Sequence, residues 1–182
     1  GAAMGIGKEL AKVFAAEGHD VVLVARSEDK LRALGQELES AHGITAHVVP
    51  ADLTDPTAPA SIFAALESKG VELDYLVNNA GFGASGAFAE LSLEWQLEMV
   101  QVNVNALMAL SHMALQGMIA RGKGRILNIA STAAFQPGPG MAVYFATKSF
   151  VLLFSEAVAD EVRNTGVTVT AHCPGATATP FT

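Results

Sequence analysis

The chain has 182 residues, of which 51% are hydrophobic and 17 are glycine, and its formal net charge is −7. This composition fits a globular α/β domain with many tight turns, and the negative charge argues against a surface that follows nucleic-acid phosphates. The single cysteine, Cys173, excludes an internal disulfide and fits a reducing cytoplasm. No uninterrupted apolar run reaches the roughly 18 residues that span a bilayer, so we expect no membrane segment.

Helix and strand patterns alternate along the chain. The predicted helices cover residues 8–17, 29–40, a stretch ending near 69, 93–120 and 144–163, and the predicted strands cover residues 21–24, 46–49, 74–77, 125–130 and 167–173. Strands separated by helices predict right-handed crossovers and a parallel sheet covered on both faces. We find no repeat or linker and predict one domain over residues 1–182. Such sheets bind ligands at the carboxyl ends of their strands.

A glycine-rich turn opens the first helix. Its sequence is Gly1-Ala2-Ala3-Met4-Gly5-Ile6-Gly7. Glycines let the backbone approach a ligand closely, and the N–H groups at a helix N-terminus attract phosphate. We predict a pyrophosphate-binding turn, and a plain glycine-rich loop remains the alternative for this motif alone.

Arg26 follows the strand at residues 21–24. In a dinucleotide site an acidic residue here would hold the ribose 2′-OH, whereas an arginine accommodates a 2′-phosphate. The carboxylates of Glu28 and Asp29 fit the first turn of the next helix, where they complement its dipole. A solvated surface charge is the alternative for Arg26. We favour the phosphate role and predict NADP(H) in preference to NAD(H).

Tyr144 and Lys148 lie four residues apart at the start of a predicted helix and therefore share one face. An ammonium beside a phenol favours the phenolate, which can exchange a proton with a carbonyl or alcohol. An ordinary helix surface would explain the pair alone. Ser131, however, follows an apolar strand thirteen residues before Tyr144. A loop at residues 135–140 joins them and can bring the serine hydroxyl towards the phenol.

Together these residues resemble the compact, single-domain branch of the short-chain dehydrogenases/reductases. The resemblance covers nearly the whole chain. It includes the three residues between Gly1 and Gly5, the segment Asn78-Asn79-Ala80-Gly81, Asn103 within Val102-Asn103-Val104-Asn105, Ser131 ahead of Tyr144 and Lys148, and Pro174-Gly175 followed by Thr177 and Thr179. It implies a Rossmann-like, doubly wound parallel sheet with helices on both faces, and an enzyme acting on the CH–OH group of its donor.

The resemblance also implies the catalytic roles. Tyr144 would be the acid in reduction and the base in oxidation. Lys148 would favour the phenolate and bind the nicotinamide ribose. Ser131 would hold the substrate oxygen in an oxyanion-type role. Asn103 would bind a water through its backbone, in a distorted helix, and extend a proton relay to Lys148. The reaction would be hydride transfer at the nicotinamide ring.

Further cofactor contacts follow from the same resemblance. Gly1, Ala3, Met4, Gly5, Ile6 and Gly7 would bind the pyrophosphate, Asp52 and Leu53 the adenine, Asn79, Ala80 and Gly81 the adenosine-ribose side, and Pro174, Gly175, Thr177 and Thr179 the carboxamide and pyrophosphate. Plainer interpretations remain open. Asp52 can be a helix-start residue, the asparagines can be turn formers, and Pro174-Gly175 can be a simple strand exit.

The ends of the sequence lead to a further expectation. The chain begins inside its phosphate turn and stops soon after its last strand. We therefore expect that the first strand and the C-terminal substrate-loop region of the fold lie outside it. In the family's strand order the first strand is central, so we expect a gap in the middle of the sheet.

Apolar loop residues surround the expected active site. They are Phe82, Ala84, Phe135, Pro137, Pro139 and Met141. Core or lid packing explains any one of them, and together they predict an apolar carbonyl compound or secondary alcohol, such as a fatty-acyl or steroid-like ketone. No Cys/His cluster supports a metal site. His112 is interpreted as a packed or interface residue.

The two long helices, 93–120 and 144–163, are more apolar than a monomer surface allows. Because the family pairs these helices across a subunit interface, we predict a homodimer or homotetramer in the cytoplasm. The leading functional hypothesis is an NADP(H)-dependent carbonyl reductase or alcohol dehydrogenase. The alternatives are a non-catalytic NADP(H)-binding regulatory protein and an epimerase or dehydratase of the extended branch.

Overall fold

The structure is a computed structural model that describes residues 1–177. These residues form two compact units, the N-terminal unit Gly1–Asp52 and the C-terminal unit Leu53–Thr177. Each unit is built from parallel strands and helices that alternate along the chain. The predicted parallel α/β class is therefore confirmed, and the single domain over residues 1–182 stays a prediction.

The N-terminal unit packs two helices against a two-stranded parallel sheet. Its elements are α1 Gly5–Ala16, β1 Val21–Ala25, α2 Glu28–His42 and β2 Ala46–Pro50. Leu31, Leu34 and Leu38 recur at helical spacing on α2 and are buried with Leu23 of β1. The helix ends at Gly43, whose positive φ of 67° suits a residue without a Cβ.

The C-terminal unit contains a three-stranded parallel sheet. Its elements are α3 Ala58–Ser68, β3 Tyr75–Asn78, α4 Leu93–Val100, a π-helical turn Gln101–Ala106, α5 Leu107–Arg121, β4 Gly124–Ile129, a 3₁₀ turn Thr132–Phe135, α6 Ala142–Glu161 and β5 Val167–His172. The strand β4 lies between β3 and β5 and pairs in parallel with both. Met118, Ile126 and Val167 lie at the centre of its core, where α5 meets the sheet.

Several predicted boundaries are corrected. The described strands form two sheets, β1–β2 in the N-terminal unit and β3–β4–β5 in the C-terminal unit. The first helix begins at Gly5, three residues before the predicted start. The predicted uniform helix 93–120 is wrong, because the π-helical turn separates α4 from α5. Hydrophobic periodicity could not show this turn, since the apolar pattern continues through it.

A ladder of buried polar side chains ties two helices to the C-terminal sheet. Asn78 Nδ2 donates to Ser111 Oγ of α5 at 3.0 Å and to Asn128 Oδ1 of β4 at 2.8 Å. Asn128 Nδ2 donates to Ser155 Oγ of α6 at 2.9 Å. All four side chains are buried. Because a buried polar atom without a partner is costly, this ladder fixes how both helices sit on the strands.

The helix α6 passes the length and composition test for a membrane-spanning segment. In this structure it packs against β4 and β5 and buries the side chain of Lys148. Both features are typical of a helix that covers the sheet of an α/β unit. The absence of a membrane segment stays a prediction.

Candidate active site

The glycine turn of the N-terminal unit presents the backbone at the start of α1. Ala2 N–H donates to Val24 O at 3.1 Å, which holds the turn beside β1. Met4 caps the helix without a side-chain hydrogen bond, and the first turn contains no acidic residue. The leading N–H groups of the helix therefore face no competing side-chain acceptor from the cap. Gly5 adopts a φ of 56°, which favours a residue without a Cβ.

Arg26 and Asp52 follow the two strands of the same unit. Both side chains are exposed, and Ala51 N–H donates to Ala25 O at 3.0 Å, which continues the β1–β2 pairing to this edge. Among the described residues Arg26 forms no ion pair, whereas Arg32 pairs with Glu28. An exposed guanidinium without a carboxylate partner retains its donors for an anionic ligand.

Asn103 lies in the π-helical turn and is almost completely buried, with 1% of its surface exposed. Its Nδ2 donates to Phe82 O at 3.0 Å and to Thr147 Oγ1 at 3.1 Å, and its Oδ1 accepts from Phe82 N–H at 3.1 Å. Both amide protons are therefore engaged within the protein. The helix is distorted at Asn103, as the resemblance implied, while the predicted bound water stays a prediction.

Lys148 lies on α6 with 5% of its surface exposed. Its Nζ donates to Ile129 O at the end of β4, at 2.9 Å, and lies 5.8 Å from the centre of the Tyr144 ring. Burial lowers the pKa of Lys148 to about 8, and the nearby Cys173 opposes that shift. Removing an ammonium from water disfavours its charged form. The structure thus brings the predicted lysine and tyrosine together at the end of a strand.

Gly81 brings the loop after β3 close to both polar groups. A Cβ on this residue would lie 3.0 Å from Asn103 Oδ1 and 3.5 Å from Lys148 Nζ. The loop, the π-helical turn and α6 therefore meet at one place. The neighbouring Asn79 and Ala80 are half-buried in the same loop.

Ser131 follows β4 and caps the 3₁₀ turn. Its Oγ accepts from Ala133 N–H at 3.1 Å, and the hydroxyl keeps its own proton for donation. Ser149 of α6 links this turn to the helix, because its Oγ lies 2.9 Å from Ala134 O and 3.0 Å from Phe145 O. Ser131 is thus held on a turn that packs against the helix carrying Tyr144.

The segment after β5 runs beside the 3₁₀ turn. Thr132 N–H donates to Pro174 O at 3.0 Å, and Thr177 Oγ1 donates to Gly175 O at 3.0 Å. Leu53 O accepts a long, 3.5 Å hydrogen bond from Gln101 Nε2. The predicted cofactor residue Thr179 lies outside the described residues.

A small, shallow cleft opens beside Tyr144. Its lining residues are Ala84, Gly86, Phe88, Leu91, Gln96, Met99, Met141, Ala142, Val143 and Tyr144. Gly86 N–H donates to Gly140 O at 2.8 Å and joins the two loops that border the cleft. Of the six apolar residues predicted near the substrate, Ala84 and Met141 line this cleft. Phe135, Pro137 and Pro139 are exposed, and the Phe82 ring packs on Trp95, 4.8 Å between centres.

No group of three or more His, Cys, Asp or Glu residues within the described range 1–177 could hold a metal ion. His112 is exposed and bonds Gln116 at 3.0 Å, so it is not a packed core residue.

Each unit, taken by itself, has a feature that fits part of a nicotinamide dinucleotide. In the N-terminal unit, the uncapped start of α1 offers N–H groups to phosphate. In the C-terminal unit, Gly81 leaves the space that a Cβ would fill beside Lys148. The sequence interpretation missed two residues that hold this site together, Thr147 and Ser149. Their only signal is position, since both are hydroxyl residues directly flanking the lysine.

Comparison with known proteins agrees with this geometry. The family model for short chain dehydrogenases matches residues 1–182. The chain belongs to the short-chain dehydrogenase family. The predicted family and the oxidoreductase class of this chain are thereby confirmed, and its fold is that of the family.

Three similar proteins illustrate the range of named activities among the relatives of this chain. The chain is 36% identical to the very-long-chain 3-oxoacyl-CoA reductase of Laccaria bicolor, with 93% of this chain and 51% of the relative covered. It is 36% identical to the 17-beta-hydroxysteroid dehydrogenase type 3 of Mus musculus, and the match covers 100% of this chain and 60% of the relative. A short-chain dehydrogenase structure from Sphingobium yanoikuyae in complex with NADPH is 38% identical and has a TM-score of 0.92. The match covers 98% of this chain and 70% of that one. The chain thus spans about half to two thirds of these relatives' length.

Proposed function

We propose that this short-chain dehydrogenase interconverts a ketone and a secondary alcohol, with Tyr144 as the proton donor or acceptor. The observation that carries the proposal is the buried Lys148, whose Nζ lies 5.8 Å from the Tyr144 ring and is fixed by Ile129 O. The geometry places a fixed cationic side chain next to the phenol that would exchange a proton with the substrate. An ordinary surface pair would neither bury the lysine nor fix it on a strand end.

The residues of the C-terminal unit have separate roles in this reaction. The nicotinamide, when bound, supplies or accepts the hydride. The Ser131 hydroxyl donates a hydrogen bond to the substrate oxygen and stabilises the charge that develops there. Tyr144 gives a proton to that oxygen in reduction and takes it back in oxidation. The Lys148 ammonium lies beside the phenol, and its remaining protons would be donated to the nicotinamide ribose. Asn103 holds the loop at Phe82 in place.

We propose NADP(H) rather than NAD(H) as the cofactor. Arg26 follows β1, where a 2′-phosphate needs a cation, and among residues 1–177 it has no carboxylate partner. Gly1 to Gly7 would bind phosphate through the start of α1, and Asp52 would contact the adenine. The NADPH complex of the Sphingobium relative supports this choice.

We propose an apolar substrate class from the lining of the cleft beside Tyr144. Its walls are mostly apolar, with methionine, leucine and phenylalanine side chains and the single amide of Gln96. Apolar walls favour substrates that bury hydrocarbon surface. The relatives named for oxoacyl and hydroxysteroid compounds support an apolar carbonyl substrate such as a fatty-acyl or steroid-like ketone.

We further propose a homodimer or homotetramer in the cytoplasm. Leu97 of α4 and Leu153 of α6 expose 60% and 65% of their surface, and exposed apolar residues on neighbouring helices favour burial against another subunit. The lone Cys173 suits a reducing compartment.

One assay tests the catalytic assignment. The full protein is given NADPH or NADH with a panel of apolar and sugar ketones, beside Tyr144→Phe. We expect wild type to oxidise NADPH with apolar ketones, and the variant to lose about a hundredfold or more because proton transfer is removed. Tyr75→Phe, at the only other tyrosine, is the matched control and should retain activity. Equal turnover by wild type and Tyr144→Phe would refute the assignment.

The same assay tests the cofactor. Arg26→Asp should reduce the preference for NADPH over NADH by about tenfold or more, because a charged hydrogen bond is lost. Arg32→Asp is the matched charge reversal, since Arg32 already pairs with Glu28. An Arg26→Asp variant with unchanged preference would contradict the NADP(H) proposal.

A further inference from the structure

A chain of hydrogen bonds runs from the loop after β3 to the backbone of Tyr144. Phe82 N–H donates to Asn103 Oδ1, and Asn103 Nδ2 donates to Thr147 Oγ1 at 3.1 Å. Thr147 Oγ1 in turn donates to Tyr144 O at 2.7 Å. The threonine hydroxyl thus uses both its acceptor and its donor functions, and it joins Asn103 to the turn of α6 that carries Tyr144.

The orientation of the Asn103 amide depends on this hydroxyl. Its first Nδ2 proton and its Oδ1 engage Phe82 O and Phe82 N–H. Its second Nδ2 proton is donated to Thr147 Oγ1. Since Asn103 and Thr147 are both buried, water cannot easily replace a lost hydroxyl. A buried donor without a partner is unfavourable, so the amide would hold Phe82 less firmly.

A weaker hold of the Asn103 amide on the Phe82 backbone would disturb the surroundings of Lys148. The preceding residue, Gly81, sits so close that a Cβ there would lie 3.0 Å from Asn103 Oδ1 and 3.5 Å from Lys148 Nζ. A small displacement of the amide therefore alters the space next to the lysine. Misplacement of about 1 Å near a reacting group is enough to lower a rate about a hundredfold.

We propose that Thr147 is a positioning residue, whose hydroxyl holds Asn103 and the loop at Gly81 in register with the turn of α6 that carries Tyr144 and Lys148. This inference rests on the proposed function of that site. Thr147 touches neither substrate nor cofactor in this proposal and acts only through Asn103 and the backbone of Tyr144.

The test compares variants of the full protein at this position. Thr147→Val keeps the shape but removes the hydroxyl, and Thr147→Ala removes it without added bulk, in case the valine variant folds poorly. Thr147→Ser restores the hydroxyl. Ser149→Ala is the matched control, because it removes a hydroxyl on the other side of Lys148 that contacts Ala134 O and Phe145 O but not Asn103.

Two readouts decide the outcome. We expect Thr147→Val and Thr147→Ala to lower kcat about tenfold or more with little change in KM, because geometry rather than binding is affected. Amide hydrogen exchange at Phe82 should become faster in both variants, whereas Thr147→Ser should keep wild-type kcat and protection. Ser149→Ala should leave the Phe82 amide protected.

Unchanged kcat and unchanged Phe82 protection in Thr147→Val would overturn the proposal, as would failure of Thr147→Ser to rescue either readout. If wild type itself reduces no ketone, the proposed function fails, and the Phe82 exchange comparison still decides whether Thr147 holds Asn103. The two failures are therefore distinguishable.

Discussion

At the scale of single residues, Lys148 combines functional value with a cost in stability. Its ammonium is buried between strand and helix and donates to the backbone carbonyl of Ile129. Burial lowers its pKa from 10.5 to about 8. A group that the fold disfavours, yet holds in a fixed place, is typical of a site selected for chemistry rather than for stability.

This burial predicts a pH-dependent stability in the ligand-free protein. Below pH 8 the folded state carries the full cost of the buried charge. Between pH 8 and 10.5 the folded state loses its proton before the unfolded state does, so stability rises with pH by about 3 kcal/mol in total. We expect Lys148→Met to be at least as stable as wild type at pH 7, to lose this rise, and to be inactive.

Urea unfolding at pH 7 and pH 10 measures this effect. Lys123→Met is the control, because Lys123 is exposed and paired with Asp74, and it should leave the rise intact. A Lys148→Met variant that shows the same rise with pH as wild type would contradict the interpretation.

Spacing in the sequence predicts that Tyr144 and Lys148 lie together, because helix periodicity puts them on one face of α6, and the structure confirms that proximity. The sequence also places Ser131 after β4, as the structure does. The catalytic roles of the three residues stay predictions. Thr147 was not identified, since its role depends on Asn103, which lies 44 residues away in the chain. Contacts of that kind depend on tertiary packing and leave no local pattern.

At the scale of secondary-structure elements, the buried polar ladder joins α5, β3, β4 and α6. We predict that Asn128→Ala destabilises the protein by about 3 kcal/mol, because Asn78 and Ser155 both lose a buried partner. Denaturant unfolding monitored by circular dichroism measures it. Asn105→Ala is the matched control, since its single bond to Gln101 is exposed, and it should change stability by less than about 0.5 kcal/mol.

If the two asparagine variants are equally stable, the ladder does not hold the helices.

Element types were predicted well from periodicity, and β3, β4 and β5 fall within two residues of their expected ends. The π-helical turn is the exception. Its backbone needs one extra residue in the ladder of helix hydrogen bonds, and no apolar spacing records such an insertion.

At the scale of the whole molecule, we propose that the apolar outer faces of the C-terminal helices form the interface between subunits. Leu153 projects from the middle of α6 with 65% of its surface exposed, and Phe150 and Phe154 stack beside it at 5.5 Å. We predict that Leu153→Glu shifts the full protein from a dimer or tetramer to a smaller species, because a carboxylate would be buried at the interface. Sedimentation velocity measures the change.

Glu156→Gln, an exposed change on the same helix, is the control and should leave assembly unaltered. A monomeric wild type would contradict the predicted oligomer, and an oligomeric Leu153→Glu would exclude this face as its interface.

The hydrogen bond between Gly86 N–H and Gly140 O has a consequence for how the substrate range of this enzyme can evolve. The two loops that border the cleft are joined through backbone atoms, and the φ of 152° at Gly86 restricts that position to glycine. Neighbouring side chains such as Ala84, Phe88 and Met141 take no part in the link. They can therefore diverge between descendants, changing which compound fits the cleft, while the backbone link between the two loops beside Tyr144 is inherited unaltered.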